Sequence, residues 1–268
     1  MRLLGGLPEY RINERPDNRR SDMAKLTSRS FVRMLWLVAH VLASMMLAPG
    51  VALALLPAPA DPWDAEIDAL VAGDTVNPPP RGGVLFVGSS SIRLWTTLAS
   101  DFPGVPVVNR GFGGSMIADS TRHAGRLIVP YRPRLVVLYA GDNDIDGGHS
   151  PAQVLTDFQA FVARVRADLP HAAIAFISIK PSVARAARWP AMREANSLIA
   201  RWAATRADVV FVDVASSMLD ASGNPRPELL RDDGLHLSPA GYALWTAQLK
   251  PVLARYESKR YREPAVRR

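Results

Sequence analysis

The sequence predicts an α/β protein, a three-layer α/β/α sandwich built on a five-stranded parallel sheet. Three observations carry that prediction. Five short runs rich in Val, Ile, Phe and Leu recur at 84–87, 105–108, 135–139, 173–177 and 209–212. Stretches with helical periodicity lie between them, as a parallel sheet covered on both faces requires. Finally, Pro106 falls within the second run, and a proline in a strand belongs at a sheet edge. The second strand is the edge in the flavodoxin-like order 2-1-3-4-5, which leaves the first strand inside the sheet, beside the switch point where ligands bind at carboxyl ends.

Each element has a local reason. In 151–169, Val154, Phe158, Phe161, Val162, Val165 and Leu169 share one helical face, with Ser150 as N-cap and Pro151 in the first turn. A helix from Pro190 turns Met192, Leu198, Ile199 and Trp202 inward. A last helix has Ser238 as cap and Pro239 first, then Tyr242, Trp245 and Leu249 along its face; Pro251 is expected to kink or end it. Ahead of the sheet, 61–74 reads as a short helix with Trp63, Ile67, Leu70 and Val71 on one side. The prolines at 78–80 then make a stiff connector, so 61–82 is read as helix plus linker and 83–256 as the domain.

The ends of the chain are of different character. Of the net charge of +7, residues 1–33 carry +4 and 250–268 carry +5, so the body between them is near neutral. That distribution argues against a nucleic-acid partner, which needs a basic face on the folded body. Residues 34–56 are mostly apolar and follow Lys25, Arg29 and Arg33. Ala58-Pro59-Ala60 or Ala52-Leu53-Ala54 fits a cleavage site, and Met23 is an alternative start. The layout is that of an export signal (34–60) after a basic n-region (1–33), giving a periplasmic or secreted protein. An uncleaved anchor giving membrane attachment through 34–56, and a core helix, are the competing readings. The tail, 257–268, reads as a basic solvated end. With no cysteine, disulfides, thiolate catalysis and Cys-based zinc sites are excluded.

The chemistry-bearing residues gather at strand ends. The first strand runs into Gly88-Ser89-Ser90-Ser91, the second into Asn109-Arg110-Gly111-Phe112-Gly113-Gly114-Ser115, and the third into Gly141-Asp142-Asn143-Asp144. Asp232-Asp233-Gly234-Leu235-His236 precedes the last helix. Acyl transfer needs a hydroxyl nucleophile, a base, a group orienting that base, and donors for an oxyanion. Ser90 can be the nucleophile and His236 the base, histidine being the side chain that exchanges protons near neutral pH. Asp233, three residues earlier, can reach the far ring nitrogen in a tight turn. Glycines in 111–114 expose backbone N–H groups, and Asn143 can add an amide donor. Taken singly, these residues would be a helix cap, a structural histidine and turn residues; their number and placement make them a candidate site.

Three other motifs fail on inspection. Ile92 breaks G-x-S-x-G, Met116 replaces the third glycine of a dinucleotide loop, and Gln153 stands where an EF-hand loop needs glutamate. His40, His123, His149 and His171 show no spacing typical of a metal site. Trp95 and Trp189 are read as core or pocket-lining; Arg93, Lys180 and Arg188 are read as surface residues able to meet a polar or anionic substrate.

Gly88-Ser89-Ser90, Gly114, Gly141-Asp142-Asn143-Asp144 and Asp233-Gly234-Leu235-His236 resemble, in order and spacing, the four blocks of the SGNH hydrolases, the GDSL-type esterases and lipases. The resemblance covers about 83–256. It implies the flavodoxin-like three-layer fold and a serine esterase or lipase that works through an acyl-enzyme. Ser90 would be nucleophile, with Asp233 and His236 completing the triad and Ser90, Gly114 and Asn143 forming the oxyanion hole. Ser91 is the alternative nucleophile and Asp232 the alternative acid. Neither metal nor organic cofactor is implied. The partner is a small-molecule ester: an acetylated sugar, a lysophospholipid or another lipid ester, or a small aryl ester. An acyltransferase using the same site and a non-catalytic envelope-binding domain are the alternative functions. Ser89 is the departure, since the family usually has aspartate there.

Overall fold

In a computed structural model, the structure describes residues 61–257. The proposed n-region and signal or anchor at 1–60, and the tail from 258 on, lie outside the described residues. Among the described residues no helix is long and apolar enough to cross a membrane.

The sheet holds β1 (Val84–Gly88), β2 (Val107–Gly111), β3 (Leu135–Tyr139), β4 (Ala173–Ile177) and β5 (Val209–Val212) in the order β2-β1-β3-β4-β5. Every pairing is parallel. This is the predicted order, with β2 at an edge. Its strand begins two residues later than the apolar run suggested: Pro106 lies just ahead of it, and the Pro106 carbonyl accepts from the Val84 N–H. The strand then extends through Asn109 and Arg110, whose polarity hid them.

The main helices are α1 (Asp64–Val76), α2 (Ser90–Arg93), α3 (Ile117–Arg122), α4 (Asp142–Asp146), α5 (Pro151–Asp168), α6 (Trp189–Ala204) and α7 (Pro239–Glu257). Strand residues alternate between two cores. Leu85, Val87, Val136, Leu138, Ile174 and Phe176 meet the layer that includes α1, α3, α5 and α6. Val84, Phe86, Leu135, Val137, Ala175 and Ile177 meet the layer that includes α2 and α7. The period of two puts both faces of each strand in apolar surroundings, which is why the runs read as continuously hydrophobic.

Two details differ from the sequence reading. Helix α7 continues through Pro251 to Glu257. A proline inside a helix costs about 3 kcal/mol, and burial of Val252, Leu253 and Tyr256 beyond it supplies an offset of that order. Helix α1 is joined to the domain: Ile67 is fully buried in the first core, with Trp63, Leu70 and Val71 packed against it. Arg110 and Tyr131 both reach Asp74, adding a polar tie between α1 and the sheet.

Candidate active site

The site forms where β1, β2 and β3 end together, Gly88 lying beside Gly111 and Tyr139. Gly88 has φ +130°, and a Cβ there would lie 1.8 Å from the Tyr139 carbonyl oxygen, so only glycine permits the chain to leave the sheet at this point. Ser89 follows with its N–H on the same carbonyl, at 3.0 Å. Ser90 then opens α2, in the turn whose N–H groups have no intrahelical acceptor.

The three serines are not equivalent. Ser90 is partly exposed, and its Oγ lies 3.1 Å from His236 Nε2. Ser89 and Ser91 are buried, and their hydroxyls have no hydrogen-bond partner. The Ser91 carbonyl accepts from the Tyr242 hydroxyl at 3.0 Å, tying α2 to α7.

His236 is presented by a tight loop. Arg231 N–H donates to the His236 carbonyl at 2.7 Å, and Leu230 pairs with Leu237 as an antiparallel bridge. Inside that loop Asp233 Oδ1 accepts from the N–H groups of Leu235 (2.8 Å) and His236 (2.9 Å), while Oδ2 lies 2.6 Å from His236 Nδ1. Hydrogen bonding from the His236 ring, then from the two N–H groups, holds the Asp233 carboxyl well below the usual carboxylate range. Asp232 is exposed. The geometry therefore brings Asp233, His236 and Ser90 into one hydrogen-bonded row.

Gly114 and Asn143 complete the rim. Gly114 is exposed at φ +74°, with nothing within 4 Å of where a Cβ would stand. Asn143, in α4, donates from Nδ2 to the Ser115 carbonyl (3.0 Å) and accepts at Oδ1 from Arg185 (3.0 Å). Beneath it Asp142 is buried, 3.2 Å from Lys180 Nζ and 3.4 Å from Arg185. Burial pushes the Asp142 carboxyl up, but Lys180 and Arg185 outweigh that and hold it low. At Asp144 burial leads, outweighing the Ile117 N–H and the nearby His149 ring, and lifts the carboxyl to about 6.

Of the other residues singled out in the sequence, some stand where expected, as Trp95 does in the core and Arg93 and Arg188 at the surface, and some do not. Lys180 is not a surface residue but is 1% exposed and committed to Asp142. Trp95 is wholly in the core, where it contacts Phe86, Tyr242 and Trp245. Trp189 lines a groove of about 210 Å³ with Arg193, Phe211, Asp213 and Leu219, which none of the three residues of the Ser90 row lines. Arg188 reaches Asp146, and Arg93 lies near Glu66. His149 has no metal-site spacing in the sequence; among the described residues its ring, Asp144 and Asp157 bring donor atoms within 4.8 Å of one another. Residues at spacings of five and eight carry no local motif. Trp63 and Glu66, which bind Gly113 from α1's N-terminal end, were likewise invisible, being about fifty residues away in sequence.

A parallel α/β sandwich with a Ser-His-Asp row at its switch point describes a hydrolase class. Residues 80–244 match the GDSL-like Lipase/Acylhydrolase family, and the chain belongs to it. It is accordingly a carboxylic ester hydrolase. Solved structures share the fold. A Bacteroides fragilis protein described as an acylhydrolase is 21% identical, with a TM-score of 0.63, covering 74% of this chain and 99% of its own. A GDSL-like lipase from Bacteroides thetaiotaomicron is 20% identical at TM-score 0.60, covering 71% and 98%. An acetylxylan esterase from Geobacillus stearothermophilus is 15% identical at TM-score 0.51, covering 65% and 95%. Among curated proteins no match to the chain was found.

Proposed function

We propose that this chain cleaves its ester through an acyl-enzyme on Ser90, with His236 as general base and acid and Asp233 as the group that orients it. The observation carrying the reading is the row Asp233 Oδ2–His236 Nδ1 at 2.6 Å and His236 Nε2–Ser90 Oγ at 3.1 Å. Ser90 Oγ attacks the carbonyl carbon as its proton passes to His236 Nε2. The oxyanion that forms accepts from the N–H groups of Ser90 and Gly114 and from the Asn143 amide. Collapse expels the alcohol, which takes the proton from His236. Water then enters, loses a proton to His236, and attacks the acyl group. The acid leaves and Ser90 regains its proton.

For substrate we propose a short acyl ester, with acetylated saccharides first on the panel because an acetylxylan esterase shares this fold. Lipid esters and aryl acetates complete the panel. Turnover of an aryl acetate should fall by three or more orders of magnitude in Ser90→Ala; full turnover would remove Ser90 from the mechanism. Offering acceptor alcohols to the trapped acyl-enzyme separates hydrolysis from transfer. We also propose export through residues 34–60, on the sequence layout described above; N-terminal sequencing of protein from culture medium and membranes separates a cleaved signal from an anchor.

A further inference from the structure

The two amide donors proposed for the oxyanion are each held from behind. Gly114 offers a backbone N–H. The peptide joining it to Gly113 is planar and trans, so the Gly113 C=O and the Gly114 N–H point in opposite directions along one rigid unit. The Gly113 carbonyl accepts from the Trp63 indole Nε1–H at 2.8 Å. The Gly113 N–H is in turn taken by Glu66 Oε2 at 3.3 Å. Two adjacent glycines would otherwise leave this peptide nearly free to rotate.

Asn143 repeats the pattern in a side chain. Its Oδ1 accepts from the Arg185 guanidinium at 3.0 Å, and its Nδ2 donates to the Ser115 carbonyl at 3.0 Å. Arginine has only donors and a carbonyl only an acceptor, so a single orientation of the Asn143 amide satisfies both neighbours. Its second Nδ2 hydrogen is left for a substrate. Arg185 is itself fixed, 15% exposed, between Asp142 at 3.4 Å and Asp146 at 3.3 Å.

We infer that Trp63 and Arg185 are positioning residues of the oxyanion site: each binds the carbonyl end of one amide and thereby aims and polarises its N–H end. A hydrogen bond to an amide oxygen strengthens that amide as a donor. The inference rests on the proposed roles of Gly114 and Asn143. Trp63 precedes residues 80–244, so this half of the device is supplied from outside the span that matches the family.

The test uses Trp63→Phe, which keeps an aromatic ring against Phe112 but has no N–H, with Arg185→Lys and Arg185→Ala. In each, kcat on an aryl acetate should fall about tenfold, a fraction of the 10²–10³ that loss of a whole oxyanion donor costs. KM should stay within about twofold, and affinity for a boronic acid mimic of the tetrahedral intermediate should fall in parallel with kcat. Millimolar guanidinium ion should restore part of the Arg185→Ala loss, which a general loss of folding would not allow. The inference is overturned if Ser90→Ala is inactive while Trp63→Phe and Arg185→Lys keep parental kcat and boronate affinity. It is also overturned if their losses come with a matching drop in thermal stability and no guanidinium rescue. If Ser90→Ala retains full turnover, the underlying reading of the site fails instead.

Discussion

The two halves of the candidate site are assembled by different means. On the side proposed for the nucleophile, two short stretches 146 residues apart each set their own parts. Gly88 turns the strand end, Ser90 opens a helix two residues later, and Asp233 and His236 sit three apart in a loop whose N–H groups Asp233 itself binds. On the side proposed for the oxyanion the parts come from far apart. Trp63 reaches Gly113 across 50 residues, Arg185 reaches Asn143 across 42, and Ser115 receives Asn143 across 28. The proposed base and its orienting acid are brought together by local turn geometry. The rim proposed for the oxyanion, made of glycines and a side-chain amide, has to borrow its rigidity from elsewhere in the fold.

That contrast can be broken or sharpened by substitution. The largest effect belongs to the local side. His236→Ala should lower kcat by three or more orders of magnitude, about as much as Ser90→Ala, and the double variant should lose little more, because the row acts as a unit. Additive losses would show that the two act separately. Asn143→Ala should cost about 10²–10³ in kcat with KM little changed. A change confined to KM would assign Asn143 to ground-state binding.

A third outcome concerns stability and pH. The Asp144 carboxyl, buried beside Asn143, titrates at about 6 in the folded protein against an ordinary 3.8. Below the ordinary value both states are protonated. Between there and 6 the unfolded chain releases the proton first, so stability falls as pH rises, by on the order of 3 kcal/mol. Asp144→Asn cannot ionise. Relative to the parent it should gain denaturation midpoint at pH 7 and gain nothing at pH 4; an equal effect at both would mean that Asp144 does not titrate in this window. The smallest effect is expected at Ser89, whose buried hydroxyl has no partner. Ser89→Ala should leave stability equal or slightly higher, since it removes an unpaired polar group. A loss above about 1 kcal/mol would reveal a partner for that hydroxyl.

The same contrast explains what the sequence could show. The parallel sheet was legible because the runs are apolar on both faces; the edge place of β2 came out as expected although Pro106, which pointed to it, lies just ahead of the strand and not within it. The pairing of Asp233 with His236 was legible because they sit three apart in one stretch, while Ser90, 146 residues from His236, was singled out among three serines by the family resemblance of the stretch that begins at Gly88. The paired roles of Asp142 and Lys180 were not, since a lysine in a loop gives no sign that it will be buried against a carboxylate 38 residues earlier. Trp63 looked like one member of an apolar helix face. Its indole N–H acts on Gly113 only after α1 has docked, with Ile67 in the core. Arg185 sat in a loop with no motif and acquires its place only when β4 and α4 come together at the site.

The most direct test of the acyl-enzyme is to treat the protein with a fluorophosphonate and map the adduct by mass spectrometry. The account predicts one phosphonyl group on Ser90, loss of esterase activity in step with labelling, and no adduct in Ser90→Ala. An adduct on Ser91, or an active esterase that takes up no label, would contradict it.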